Sequence, residues 1–239
     1  MTDHLNEVML LAAFTPRSQA YAQALARHGI RPGIVLTLGA EKPVVPMTFK
    51  MRDWQGVDLH DPSQSISQVC AAANWRLENC PAEDVNAPVV SDMLARHKPR
   101  LVIYSGYGGQ IVGDELLALG IPFLHMHTGW LPSYRGSTTL YYALLNGEPP
   151  AASALILDRR IDTGPLVARR TYPRPPPGMD VDCGYDSALR ADLLVRILRD
   201  YALSGKLPVV VPQEPIEDSP YFVIHPVLKH LALLSLESP

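Results

Sequence analysis

The sequence predicts an α/β protein: a Rossmann-like, mostly parallel sheet with helices on both faces and a small carboxyl-terminal extension. Three observations carry that prediction. Short apolar runs alternate with helix-like segments along most of the 239 residues, the pattern of strands joined by helical crossovers. Nearly half of the residues, 47%, are hydrophobic, enough for a sizeable core in one large domain. Proline is abundant, at 23 residues, which places rigid turns between the elements.

Taken in order, VMLLAA at 8–13 reads as a buried strand. Thr15 and Pro16 begin a helix, proline being tolerated in the first turn, and AYAQALARHG carries it to Gly29. GIVLTL at 33–38 is the second strand, and 39–62 reads as irregular. A helix over 63–73 takes Ser63 as its N-cap, and 87–97 has helical spacing. LVIYS at 101–105 is a strand, 113–119 a short helix and 122–127 another strand. A further helix closes at Asn146-Gly147. Two strands at 153–157 and 165–170 flank a turn at 158–164. PRPPPG at 173–178 is a rigid loop, and 182–203 is a long amphipathic helix ended by Ser204-Gly205. LPVVVPQ at 207–213 suits a last strand. The tail has apolar residues at 224, 227, 228, 231, 233, 234 and 236, which suits a docking or homodimer helix or packing on its own domain. The chain therefore divides into a main domain, 1–205, and an extension, 206–239.

Composition narrows the function. The formal net charge is −3 and the basic residues are spread out, so no nucleic-acid footprint is visible and no nucleic-acid partner is expected. Three cysteines, Cys70, Cys80 and Cys183, fit neither a disulfide framework nor a zinc site, and point to a reducing, cytoplasmic setting. The polar start MTDHLNE and the lack of a long apolar run predict no membrane association.

In open α/β sheets, ligands bind beyond the carboxyl ends of strands. GYGG at 106–109 and the stretch from His125 to Gly129 fall there. Strand residues two apart share a face, so His125 and His127 point the same way. Such a pair has three readings: two satisfied polar residues, a metal pair completed by Asp162, or an acid–base pair that needs an oxyanion donor and an orienting acid.

The order of motifs resembles one family. HMH at 125–127 is followed by WLP at 130–132, YRG at 134–136, a helical run ending in LLNG at 144–147, and IDTGP at 161–165, with SGYG at 105–108 before them. This is similar to the formyltransferases that use 10-formyltetrahydrofolate, such as methionyl-tRNA formyltransferase and the sugar N-formyltransferases. The resemblance covers residues 100–170; the first hundred share only the α/β pattern. It implies the formyltransferase fold, with His127 as the catalytic histidine, Asp162 as the catalytic aspartate and His125 where the family has asparagine. A histidine can still donate to a developing oxyanion, more strongly if protonated, and then becomes sensitive to pH. Gly106, Tyr107, Gly108, Gly109, Leu131, Arg135 and Gly136 are then expected to hold the donor, 10-formyltetrahydrofolate. Thr138 and Thr139 read as helix-start residues, Asp158 as a solvated turn, and one of Tyr141 and Tyr142 as core.

The acceptor this implies is a small-molecule amine, a nucleotide-linked amino sugar first and an amino acid or other amine second. No metal is expected. Two alternatives remain at this level: a metal-dependent or formylfolate hydrolase built on His125, His127 and Asp162, and a non-catalytic folate-binding member.

Overall fold

The computed structural model describes residues 3–41, 51–208, 211–213 and 221–237. Its centre is a seven-stranded sheet. The strands are β1 (Asp3–Ala13), β2 (Ile30–Leu38), β5 (Leu77–Cys80), β6 (Leu101–Ser105), β7 (Phe123–Thr128), β9 (Ala151–Ile156) and β10 (Leu166–Thr171). Their spatial order is β10-β9-β7-β6-β1-β2-β5. From β5 to β7 every pairing is parallel; β9 runs antiparallel to both β7 and β10. The mostly parallel α/β fold read from the sequence is the fold of this chain.

The two faces explain the unbroken apolar runs. Leu10, Ala12, Val35, Ile103, Leu124 and Met126 pack against α1 (Pro16–Arg27) and α6 (Asp186–Ser204). The alternate residues Met9, Leu11, Leu36, Val102, Tyr104 and Phe123 pack against α3 (Pro88–His97) and α4 (Asp114–Leu117). A parallel strand covered on both faces needs apolar residues at both parities.

Helix starts follow local chemistry. Thr15 caps α1 by accepting from the Ser18 N–H at 3.2 Å, and Pro16 opens the first turn. The helix predicted over 63–73 is shorter: α2 spans Ile66–Ala72, and its cap is Ser65, not Ser63. Ser65 and Gln68 form a reciprocal capping box, whereas the Ser63 N–H donates to Asp61 at 2.9 Å within the preceding turn. The 39–62 region also holds a small hairpin, β3 (Asp53–Trp54) with β4 (Val57–Asp58), turning at Gln55-Gly56; residues 42–50 lie outside the described set. β5, a half-exposed edge strand, has no apolar run and left no mark in the sequence. The helix expected over 182–203 is α6, preceded by a π-helical turn at Val181–Tyr185 and ended by Gly205 in the left-handed region, φ 69°.

Beyond Gly205 the described residues pack back onto the preceding part of the chain. Val211 forms a single antiparallel bridge with Leu166; residues 209–210 of the strand expected at 207–213 lie outside the described set. β11 (Tyr221–Val223) pairs in parallel with β8 (Arg135–Ser137). α7 (Pro226–Leu234) packs against α5 (Leu140–Leu145), with Lys229 paired to Asp182 and Arg174 bonded to Ser235. Ala232 and Leu236 are buried there, while Val227, Leu231 and Leu234 stay exposed. Among the described residues no helix is long and apolar enough to cross a membrane.

Candidate active site

The carboxyl end of β7 delivers two histidines to the face that carries Phe123. His127 is only 3% exposed. Its Nε2 lies 2.7 Å from the Tyr134 carbonyl oxygen, so Nε2 carries the proton and donates. In the neutral ring Nδ1 then holds a lone pair, and it faces Asp162 Oδ2 at 3.5 Å. A proton placed between Nδ1 and Oδ2 is held by both. Burial lowers the His127 pKa, and the Asp162 carboxylate opposes that shift. The ring is therefore neutral near pH 7, with a prepared place for one more proton.

The Asp162 turn is fixed from several sides. Its backbone has φ 56°, a left-handed conformation uncommon outside glycine. Oδ2 also accepts from the Gly136 N–H at 3.0 Å. Thr163 donates to Asp158 at 2.8 Å, and the Arg160 N–H donates to Asp158 at 3.0 Å, so Asp158 ties this turn rather than lying idle in solvent. Gly164 is required by close approach: a Cβ there would fall 1.8 Å from the Ile156 carbonyl oxygen.

His125 lies beside Asp162 on a cleft also lined by Tyr104, Gln110, Ile111 and Arg160. The cleft holds about 90 Å³, room for the reacting end of a ligand and far less than the few hundred Å³ of a pocket for a whole cofactor. The His125 ring is buried, with the Tyr104 backbone as a weak hydrogen-bond partner, and is tilted against the Tyr104 ring at 6.1 Å. Burial, with the charges of Arg17 and Arg190 behind the strand, holds its pKa well below 6.5. His125 is thus a neutral donor with a single N–H; the protonated donor considered from sequence is disfavoured here. A larger cavity, about 370 Å³ between α1 and α2, is lined by Gln23, Arg27 and Gln64 and contains no acid–base pair.

The remaining expected ligand-holding residues divide. Gly108 and Gly109 face open space. Gly106 is structural: its carbonyl accepts from Arg17, and a Cβ would meet the Tyr104 hydroxyl at 2.1 Å. The Tyr107 hydroxyl donates to the Leu38 carbonyl at 3.1 Å, bridging two loops at the strand ends. Leu131 is fully buried with Leu155 and Leu166, and so does not line the cleft. Arg135 makes no ion pair with a described residue, and Gly136 serves the site through Asp162. Tyr141 is the core tyrosine of its pair. Thr139, at the start of α5, donates to the Thr128 carbonyl and lies 3.5 Å from His127 Nε2.

Sequence reasoning missed Arg17, Arg190 and Gln213. Arg190 donates to the Met126 carbonyl at 2.8 Å, between the two histidines, and pairs with Asp186 at 2.8 Å. Arg17 donates to Ser105 at 3.1 Å. The only signal for Arg190 was its i,i+4 spacing from Asp186, a pattern more common on solvated surfaces. Among the described residues, no three His, Cys, Asp or Glu side chains converge as a metal-ligand set.

A family model described as formyl transferase matches residues 40–176. The methionyl-tRNA formyltransferase of Roseiflexus sp. (strain RS-1) is 29% identical over 128 residues, 53% of this chain and 39% of that protein. The chain thus spans about two fifths of the length of the curated relatives it matches. Among solved structures, glycinamide ribonucleotide transformylase 1 from Symbiobacterium toebii superposes with a TM-score of 0.57 at 16% identity, covering 89% of this chain and 95% of the other. An N-formyltransferase from Helicobacter canadensis, in complex with folinic acid and dTDP-3-aminofucose, gives a TM-score of 0.53 at 14% identity, covering 93% and 71%.

Proposed function

Because the chain belongs to the formyl transferase family, we propose that it moves a formyl group from 10-formyltetrahydrofolate to the amine of a small-molecule acceptor. The observation that carries this reading is Asp162 in the wall of a cleft that His125 also lines, with His127 Nδ1 3.5 Å behind it. Acyl transfer to an amine needs a proton acceptor and an oxyanion donor within one small volume, and those groups supply both roles.

The acceptor amine attacks the formyl carbon and a C–N bond forms. The carbonyl oxygen becomes an alkoxide, which the single N–H of His125 stabilises. The amine nitrogen gives up a proton to the Asp162–His127 pair, the carbonyl re-forms as the bond from the formyl carbon to N10 breaks, and N10 takes a proton back from the same pair. Asp162 lines the cleft and the buried His127 does not. The amine proton therefore passes first to Asp162 and is shared with His127 Nδ1. Neutral His127 can take this proton because burial keeps it unprotonated beforehand.

Gly108 and Gly109, with open space around them beyond β6, are our choice for backbone contact with the donor. For the acceptor, a nucleotide-linked amino sugar comes first and an amino acid or other amine second. The structural likeness to a protein captured with dTDP-3-aminofucose supports that order.

The first test is calorimetric binding of 5-formyltetrahydrofolate, an unreactive stand-in for the donor. Saturable binding near one site per chain is expected, followed by turnover in a screen of amino sugars and amines. A folded protein that binds none of it overturns the donor assignment.

A further inference from the structure

We propose that the segment beyond α6 is part of the acid–base machinery, with Gln213 a positioning residue that clamps the Asp162 turn against His127. This rests on the catalytic reading of that pair but concerns a part of the chain outside the matched residues 40–176.

The Gln213 amide reaches two carbonyl oxygens of the turn, Asp162 O at 3.0 Å and Gly164 O at 2.6 Å. Two acceptors at these distances require the NH₂ end to face them. Its Oε1 is buried without a hydrogen-bond partner, so the side chain is committed to this contact at the expense of its own acceptor. Two residues earlier, Val211 exchanges both backbone hydrogen bonds with Leu166 at 2.8 Å, anchoring the segment beside the turn.

A second contact from the same extension reaches the other side of the carboxylate. β11 pairs with β8, and the Phe222 backbone lies so close to Gly136 that a Cβ there would stand 2.1 Å from the Phe222 carbonyl oxygen. The N–H that Gly136 donates to Asp162 Oδ2 is thereby aimed by the extension. One stretch holds the Asp162 main chain and another holds the donor to its side chain. An aspartate in a left-handed conformation persists where its surroundings over-determine it, and these contacts come from 206–239.

The charged and polar groups facing His127 are Asp162 from the turn, Asp186 and Arg190 from α6, His125 from β7, the Tyr134 carbonyl and the Thr139 hydroxyl. Gln213 touches only the Asp162 turn among these. Its loss should therefore weaken one of the influences that favour His127 protonation, the Asp162 carboxylate, and leave those of Asp186 and the Tyr134 carbonyl in place.

The test uses the full chain with Gln213→Ala, Asp162→Ala and the double variant. The titration of the His127 ring, assigned by its loss in His127→Ala, is followed by NMR. In Gln213→Ala the midpoint is expected to move to lower pH, in the direction of Asp162→Ala, and Gln213→Ala should add no further shift in the Asp162→Ala background. With an active acceptor, kcat should fall roughly 10- to 100-fold while the donor KM stays within about twofold. Gln213→Glu, which keeps the size and replaces the donor with an acceptor, should behave at least as badly. A His127 titration identical to wild type in the folded Gln213→Ala protein overturns the proposal, whatever happens to kcat. The titration needs no substrate, so a wild-type chain inactive towards every amine sinks the transferase reading while the titration still decides this one.

Discussion

The middle of the sheet and the carboxyl end of its β7 strand follow opposite rules. In β1, residues 8–13 are at most 1% exposed and all apolar, and β2 and β6 continue the pattern to both faces. At the end of β7 and beside it, buried positions carry His127, Thr128, Thr139, Ser153 and Asp162. Burying polar groups costs free energy unless partners are supplied, and most of these groups have them. Ser153 accepts from the Leu131 N–H and donates to the Gly129 carbonyl; His127 is anchored on Tyr134. The contrast separates packing from polar chemistry: one region is almost wholly apolar, with Thr37 and Ser105 its buried polar exceptions, and the other is held together around His127 and Asp162.

The largest effect should come from breaking the polar region. His127→Ala and Asp162→Ala are each expected to lower formyl transfer by roughly a thousandfold, in the range typical of a lost acid–base group. Thermal unfolding should shift by only a few degrees. Near-normal rates in both variants would sink the assignment.

The reverse experiment strikes the apolar region. Leu36 is fully buried in β2, away from the cleft. Leu36→Ala should cost about 2–5 kcal/mol in denaturant unfolding while the folded fraction keeps its KM and kcat. Loss of turnover at unchanged stability would show that the two regions are not separable.

These two predictions also mark what the sequence made legible. Apolar runs and capping residues exposed the middle of the sheet, because burial on both faces leaves a one-dimensional trace. The spacing of His125, His127 and Asp162 was equally visible. The proton order we propose was not, since it rests on Asp162 rather than His127 lining the cleft, a matter of packing. Nor was the role of Gln213, 51 residues from Asp162, whose contact arises only when the extension folds back. Ser65 rather than Ser63 as the α2 cap is a smaller case: the Ser65-x-x-Gln68 capping box was in the sequence, and the Asp61 turn takes up Ser63 instead.

Acid should probe a different part of the contrast. His60, outside the cleft, is buried and its pKa is pushed down to about 4. A histidine whose folded pKa lies below its unfolded value of about 6.5 loses nothing above that pH; as pH falls below it, the unfolded chain takes up the proton and the folded one does not. Stability should therefore decline from about pH 6.5 to 4, by roughly 3 kcal/mol from His60 alone. His125 and His127 are shifted in the same direction. Denaturant unfolding at pH 7 and pH 5 checks this, with His60→Gln as the control. If the variant loses as much stability on acidification as wild type does, the shift at His60 is not the cause.

The smallest expected effect is the most informative about His125. It is neutral in the folded protein, so it offers an oxyanion one N–H, which an asparagine amide offers equally well. His125→Asn should therefore keep turnover within about tenfold, and the pH–rate profile between pH 6 and 8 should stay in place, because no His125 titration falls in that window. The ring is also a packing element, tilted against Tyr104, and the shorter amide leaves that contact empty; a modest rise in KM belongs to this loss rather than to chemistry. An activity that disappears in His125→Asn but returns in His125→Gln would trace the requirement to the reach of the donor. Disappearance in both would assign imidazole a proton-transfer role of its own, and the neutral-donor account of this side of the cleft would fall.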